Sequence, residues 1–484
     1  MKEDKKRKTL YQDLPRMPSL MESMIPVVFL IIALGAGIIV LEVDPQIPLI
    51  AAIAFTALIA YKIGISWEVM EEGLANGVMT GMKALLILMT VGLLIGSWIH
   101  SGVVPTMIYY GLQILTPQIF LVASAVMAGI VSLVLGSSWT TAGTVGVALI
   151  GIGTGLGISP GLVAGSVVSG SYLGDKLSPL SDATNLAAGS VSDTDVFEHV
   201  RHMLWVTIPS FIVALIVYAV IGMQFAGQVI DTAGIEEITM TISDNFWVHP
   251  ILLVVPLLVI IMIVKKIPPL PALIGGVILG GLTAVLVQGA SLADIIGSMH
   301  YGYGLNTGVE VVDDLLTAGG LDGMMWTISL AMIALALGGL LESCGFLATI
   351  LKKVLEKAQT YGQISLVTHI IAVFVNITTA DQYLAIILPA RMFNQAFKEV
   401  GAHPKNLSRI VESAGTLTSP LIPWTTCGAF MYGVLGVNPF IYAPFAFFLW
   451  LAPLISIGYG YLGIGFSEWT EADEAEAAAE SALG

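Results

Sequence analysis

Long apolar runs, broken at intervals by short polar stretches, set the pattern of this chain. A membrane-crossing helix needs about 17–25 mostly apolar residues. The runs 24–41, 47–61 and 82–99 predict three such helices. Residues 103–115 are too short and too two-sided to cross, and predict an interfacial helix. The runs 119–135 and 143–156 flank the polar knot Gly136-Ser137-Ser138-Trp139-Thr140-Thr141 and predict a hairpin with a polar tip. From residue 161 the chain is apolar until SGSYLGDKLSPLSDATNLAAGSV, which sets Asp175, Lys176 and Asp182 among glycine, serine and proline. A helix interrupted this way must bend or unwind, which frees backbone carbonyls, and in lipid such a break is tolerated only inside protein or beside a water-filled cavity. The run 203–223 closes the half.

The second half follows the same order. Runs 250–264, 272–287 and 324–341 precede an amphipathic stretch, 346–358, with Lys352, Lys353 and Lys357 on its polar side. A hairpin of 364–375 and 383–397 surrounds Asn376-Ile377-Thr378-Thr379-Ala380-Asp381-Gln382; a broken stretch, 409–430, leads to the final run 439–459. Gly81-Met82 recurs as Gly323-Met324, Thr140-Thr141-Ala142 as Thr378-Thr379-Ala380, and Ser178-Pro179-Leu180 as Ser419-Pro420-Leu421. Three ordered matches at nearly one separation predict a duplicated unit.

The expected fold is therefore an all-α polytopic membrane protein with two repeats, 23–224 and 247–461. Each holds three helices, an interfacial helix, a re-entrant hairpin, a broken helix and a closing helix. A basic segment, 1–22, precedes them, an external linker, 225–246, joins them, and an acidic tail, 462–484, follows. Residues 42–46, 100–118, 226–249 and 288–323 contain no lysine or arginine. Placing them outside puts both termini in the cytoplasm by the positive-inside rule. Each repeat then crosses an odd number of times, so the second is inverted.

Composition supports the membrane assignment: 56% of residues are apolar and 11% charged, against about 25% charged in soluble domains. The net charge of -15 lies mostly in connecting segments and the tail, which reads as a solvated acidic surface and not as a nucleic-acid or basic-partner site. Cys344 and Cys427 form no metal or disulfide motif. No GxxxxGK[ST] motif is present and no nucleophile stands with a base, so a nucleotide-driven pump and an enzyme are both disfavoured.

The runs SGSYLGDKLSPLSDATNLAAG, GSSWTTAG, TTADQYLA and TLTSPLIPWTTCGAF resemble the signature segments of the NhaC family of sodium/proton antiporters. The likeness covers nearly the whole chain apart from its first residues and the acidic tail. Ala183 departs from it, standing where the family pattern has threonine. The resemblance implies a prokaryotic plasma-membrane protein that expels Na+ in exchange for H+, with Li+ as a further possible ion and without a cofactor. It also implies an elevator-like movement and a homodimer. The family includes malate and lactate exchangers, so an organic acid exchanger on the same fold is the alternative.

The residues suit cation exchange. Na+ takes oxygen ligands from carboxylates, hydroxyls and unwound carbonyls. Exchange needs a carboxylate that holds either Na+ or a proton, and burial favours the protonated form. Asp175 and Asp381 are the expected Na+ carboxylates, followed by Asp182, which could instead cap a half-helix, and by Glu412, which could instead pair with Arg409. Lys176 either neutralises Asp182 or reaches an interface. Ser137, Ser138, Thr140, Thr141, Ser178, Asn376, Thr378, Thr379, Thr416, Thr418 and Ser419 are candidate lining groups; for the hydroxyls, bonding to the helix backbone is the competing role. Trp139 and Trp424 suit packing or gating, and His369 a satisfied buried position. His100 and Glu342 mark matching helix ends.

Overall fold

The computed structural model describes residues 14–192, 194–225, 232–355 and 358–470. The start of the basic segment, the acidic tail beyond residue 470, residues 226–231 of the linker and Lys357 lie outside the described residues. The first half comprises α1 (Leu20–Gly35, extended by a π turn to Val40), α2 (Gln46–Ile63), α3 (Trp67–Thr80), α4 (Met82–His100), α5 (Val103–Ile114), α6 (Pro117–Leu135), α7 (Ser138–Thr141), α8 (Val147–Gly155), α9 (Pro160–Leu177), α10 (Asp182–Gly189) and α11 (Val196–Met223). The second comprises α12 (Thr232–Asn245), α13 (Val254–Val264), α14 (Pro269–Gln288), α15 (Leu292–Tyr301), α16 (Glu310–Leu316), α17 (Gly320–Ser343), α18 (Phe346–Leu355), α19 (Tyr361–Thr379), α20 (Gln382–Glu399), α21 (Pro404–Thr418), α22 (Thr426–Leu435), α23 (Pro439–Tyr442) and α24 (Phe447–Leu462).

Among the described residues, eight helices are long and apolar enough to cross a membrane, or ten if each of two bent pairs counts as one span. Exposed apolar side chains such as Ile31, Ile212, Ile216 and Leu286 line their outer faces, which suits hydrocarbon. All described secondary structure is helical apart from two isolated bridges.

Several elements differ from expectation. α3 has no clean apolar period in the sequence, because Glu68, Glu71 and Glu72 interrupt it. Its inner face carries Gly77, where a Cβ would stand 2.2 Å from the Leu335 carbonyl of α17. Only a bare backbone allows that approach. The acidic segment 288–323 contains α15 and α16, and the linker contains α12. The short α5 and α18, of 12 and 10 residues, are not free interfacial helices: Val103, Val104 and Ile108, and Phe346, Leu347 and Ile350, are buried against protein.

Element order repeats between the halves in a register different from that of the tripeptides. α6 ends at Gly136 and α19 at Ala380, both left-handed at φ +66° and +58°, and each is followed by a side-chain cap, Ser137 or Asp381. Pro160 and Pro404 open the broken helices, while Ser181 and Thr425 cap their second halves. Each of these pairs stands 244 residues apart. Thr140 and Thr141 lie beyond the first tip, whereas Thr378 and Thr379 precede the second, so that sequence match does not mark equivalent positions.

The halves interlock. α9 packs along α6, and α21 lies between α19 and α20. The half-helix α10 crosses to α20 and α21, while α22 packs on α17 of its own half and crosses to α4 and the π turn Ala142–Gly146. Both tips and both helix breaks thus meet between the two halves.

Candidate functional site

Where they meet is a cavity of about 450 Å³. The first tip supplies Gly136, Ser137, Ser138 and Trp139, and the second Asp381, Gln382 and Tyr383. The breaks supply Asp175, Leu180, Asp182, Ala183 and Thr426. Thr80, Lys83 and Lys266 stand at the wall.

Asp175 comes from the last turn of α9 and is 7% exposed. Ser138 Oγ donates to its Oδ2, and Ser181 Oγ donates to its Oδ1 at 3.3 Å. Ser181 Oγ also accepts from Ala183 N–H at 3.2 Å, capping α10. One serine therefore starts the second half-helix and orients the buried carboxylate. Asp381 is 2% exposed and caps α20, its Oδ1 accepting from Leu384 N–H at 2.8 Å. A carboxylate at a helix N-terminus is stabilised by the exposed amides and the helix dipole. The tip is tied to the second break by Thr426 N–H donating to Ala380 O at 2.8 Å.

Asp182 also reaches the cavity, but at its mouth: Lys83 Nζ lies 2.7 Å from Oδ2, with the two side chains 65% and 62% exposed. Such an exposed pair contributes little to stability. Lys176 does not neutralise Asp182. It is fully buried on the far side of α9 and donates to Ser413 Oγ at 2.8 Å. Arg409 likewise leaves Glu412; it donates to Gly465 O at 2.8 Å and Tyr361 Oη at 3.3 Å. Glu412, 0% exposed, sits behind the cavity in contact with His199 Nε2 and accepts from Thr184 Oγ1 at 3.0 Å.

Of the expected lining groups, Ser137 and Ser138 reach the cavity. Most others satisfy helices. Thr141 donates to Ser137 O, Thr378 to Phe374 O, Thr379 to Val375 O and Thr418 to Ala414 O. Thr140 donates to Ser137 Oγ, and Ser178 Oγ accepts from Leu180 N–H. Asn376 Nδ2 donates to Gly415 O at 2.7 Å and Thr418 Oγ1 at 3.0 Å, holding α19 to the second break. Thr416 and Ser419 are buried away from the cavity. Trp139 stacks on Phe430 at 4.2 Å, and Trp424 donates to Ile377 O. His369 Nδ1 donates to Ser365 O, and His100 Nδ1 meets Ser298 Oγ. Sequence reasoning missed Lys83, Gln382 and Thr426 in the cavity and Thr184, His199 and Ser408 behind it. Gln382 and Thr426 lie inside quoted motifs beside chosen residues; His199 has no local signal, because its partner is 213 residues away.

Residues 170–464 match the sequence pattern of the Na+/H+ antiporter family. The chain is 41% identical over 453 residues to the Na+/H+ antiporter NhaC of Alkalihalophilus pseudofirmus, covering 92% of this chain and 97% of that protein. It is 38% identical to the malate-2H+/Na+-lactate antiporter of Bacillus subtilis, with 93% and 96% covered. The arginine/ornithine antiporter ArcD of Halobacterium salinarum is 37% identical, with 93% of each chain covered.

Proposed function

Since the chain belongs to the Na+/H+ antiporter family, a family of multi-pass membrane transporters and not of enzymes, we propose that it exchanges cytoplasmic Na+ for external H+. Asp175 and Asp381 are the groups that hold either ion, within the membrane that surrounds the apolar belt. The observation that carries this reading is the convergence of these two buried aspartates, one from a helix break of the first repeat and one from a hairpin tip of the second, on one cavity with Ser137, Ser138 and Thr426. Hydroxyls and carboxylates are the donors a hard monovalent cation takes. A carboxylate walled off from water is costly to keep ionised without a cation, so losing Na+ favours taking up a proton. Occupancy by one ion at a time is the requirement for antiport.

Alternating access follows if the two repeats are inverted and rock about this site. In the orientation with Lys266 and Lys405 inside, the segment 302–319 is external.

A second reading has support of its own: the cavity is large for a bare ion, two lysines line it, and a relative is named for malate and lactate. Proteoliposomes carrying a proton gradient distinguish the two. NaCl alone collapses the gradient under the antiport reading, and Asp175→Asn abolishes the response. If NaCl acts only after malate or lactate is added, the organic acid reading replaces it.

A further inference from the structure

Behind the cavity lies a buried chain of polar groups that ion exchange at Asp175 does not itself require. Asp175 O would ordinarily accept from the N–H four residues on, but that residue is Pro179, which has none. Thr184 Oγ1 fills the vacancy at 2.7 Å and also stands 3.0 Å from Glu412 Oε1. A threonine has one hydroxyl proton for these two acceptors. The other oxygen of Glu412 contacts His199 Nε2, and His199 Nδ1 lies 2.8 Å from Ser408 Oγ. Ser408 Oγ is in turn 2.9 Å from Lys405 O. Glu412 and His199 are both 0% exposed.

This set is satisfied in two protonation states without moving a heavy atom. In one, His199 Nε2–H donates to the Glu412 carboxylate and Ser408 donates to Nδ1. In the other, Nδ1–H donates to Ser408 Oγ, whose proton turns to Lys405 O, and a second proton lies between Nε2 and Oε2. The second state holds one more proton, and the charge of the pair goes from negative to neutral. A buried carboxylate built only for stability needs a partner for one state; here the switching hydroxyl provides for both.

We propose that Glu412 and His199 form a second proton site, excluded from the cavity and linked to Asp175 through Thr184, that loads and unloads during transport. This rests on the antiport reading. His199 follows Glu198 directly in α11, and the partly exposed Lys405–Glu198 ion pair, 2.6 Å long, joins it to the surface that carries Lys405. Around Glu412 and His199 stand Asp175 and Lys176 from α9, His202 and Glu198 from α11, and Arg409 and Lys405 from α21 itself, with His369 of α19 beyond Arg409 and Lys176. α24 brings Tyr459 towards Arg409, and α20 brings Asp381 on the cavity side. A cation arriving at Asp175 disfavours a proton on the pair, and a charged Glu412 favours that cation; by linkage the two act on each other equally.

Proton release is measured on the purified full-length protein in weak buffer with a pH dye, adding NaCl at constant ionic strength and counting bound 22Na+ in parallel. The wild type releases protons. Glu412→Gln and His199→Gln still bind Na+ and release fewer, by about one per Na+ bound, whereas Asp175→Asn binds none. Equal release by the wild type and both variants overturns the second site while leaving antiport standing; no release by the wild type overturns antiport itself. Should either glutamine variant fail to fold, Ser408→Ala decides. It keeps the pair and removes only the switching hydroxyl, so the pH midpoint of release shifts, and an unchanged midpoint overturns the proposal.

Discussion

Asp381 has two duties that substitution separates. It caps α20 through Leu384 N–H and, as proposed, carries exchangeable charge. Asparagine caps as well as aspartate, and alanine costs about 1 kcal/mol. Asp381→Asn should therefore keep the wild-type Tm and lose Na+-driven proton flux, while Asp381→Ala loses both; flux retained in the asparagine variant would remove Asp381 from the ion site. Lys83 offers a milder test. Its exposed pair with Asp182 lowers the negative potential at the cavity mouth without contributing much stability. Lys83→Ala should lower the apparent Na+ KM several-fold at low salt with little change in Tm, the difference fading as the Debye length shrinks below ~10 Å.

At the level of elements, the two tips achieve one turn by different means. Gly136 adopts a left-handed φ, and a Cβ there would lie 2.7 Å from Leu180 Cβ and 2.8 Å from its carbonyl carbon. Ala380 turns in the same way but has room for its methyl. Gly136→Ala should push the first tip off the first helix break, lowering Tm and flux together. An unaltered Tm would mean the tip yields without disturbing Asp175. In the connection between the candidate spans α14 and α17, Asp313 organises the segment before α16 by accepting from Thr307 N–H at 2.7 Å, Thr307 Oγ1 at 2.8 Å and Gly308 N–H at 3.1 Å. The Thr307 amide, with these other donors, holds its carboxyl below the ordinary carboxylate range. A depressed folded-state value means the contribution to order is complete above the unfolded pKa of ~3.9 and is lost as pH falls through the lower one. Hydrogen exchange of Thr307 and Gly308 should stay slow through mildly acidic pH, and Asp313→Asn should speed it at neutral pH.

For the whole molecule, a ligand that binds only the folded state stabilises it by about 2.7 kcal/mol at a hundred times its Kd. Na+ should thus raise the wild-type Tm and leave that of Asp175→Asn unmoved; a rise in both would place the ion elsewhere. Orientation is open to labelling, since Cys344 and Cys427 are buried. Cysteines introduced at Gly304 and Lys405 should react with an impermeant maleimide from opposite sides, the first from outside. How much of this was legible beforehand follows from the range of the interactions involved. Apolar run length and proline-broken stretches act within a turn or two, so the sequence alone determined the long apolar helices, the two polar-tipped turns, both helix breaks and the standing of Asp175 and Asp381 at a break and a tip. Helices without a clean period, such as α3, escaped it, because they are held by close backbone approach to a distant helix and not by their own pattern. Side-chain partnership was decided only by the tertiary structure. Lys176 turns to Ser413 and not Asp182, Lys83 takes Asp182, and Glu412 takes His199 instead of Arg409 three residues away. In each case a segment some 99 to 237 residues distant brings the partner, and a charge goes to whichever partner the packing delivers, whatever stands nearest along the chain.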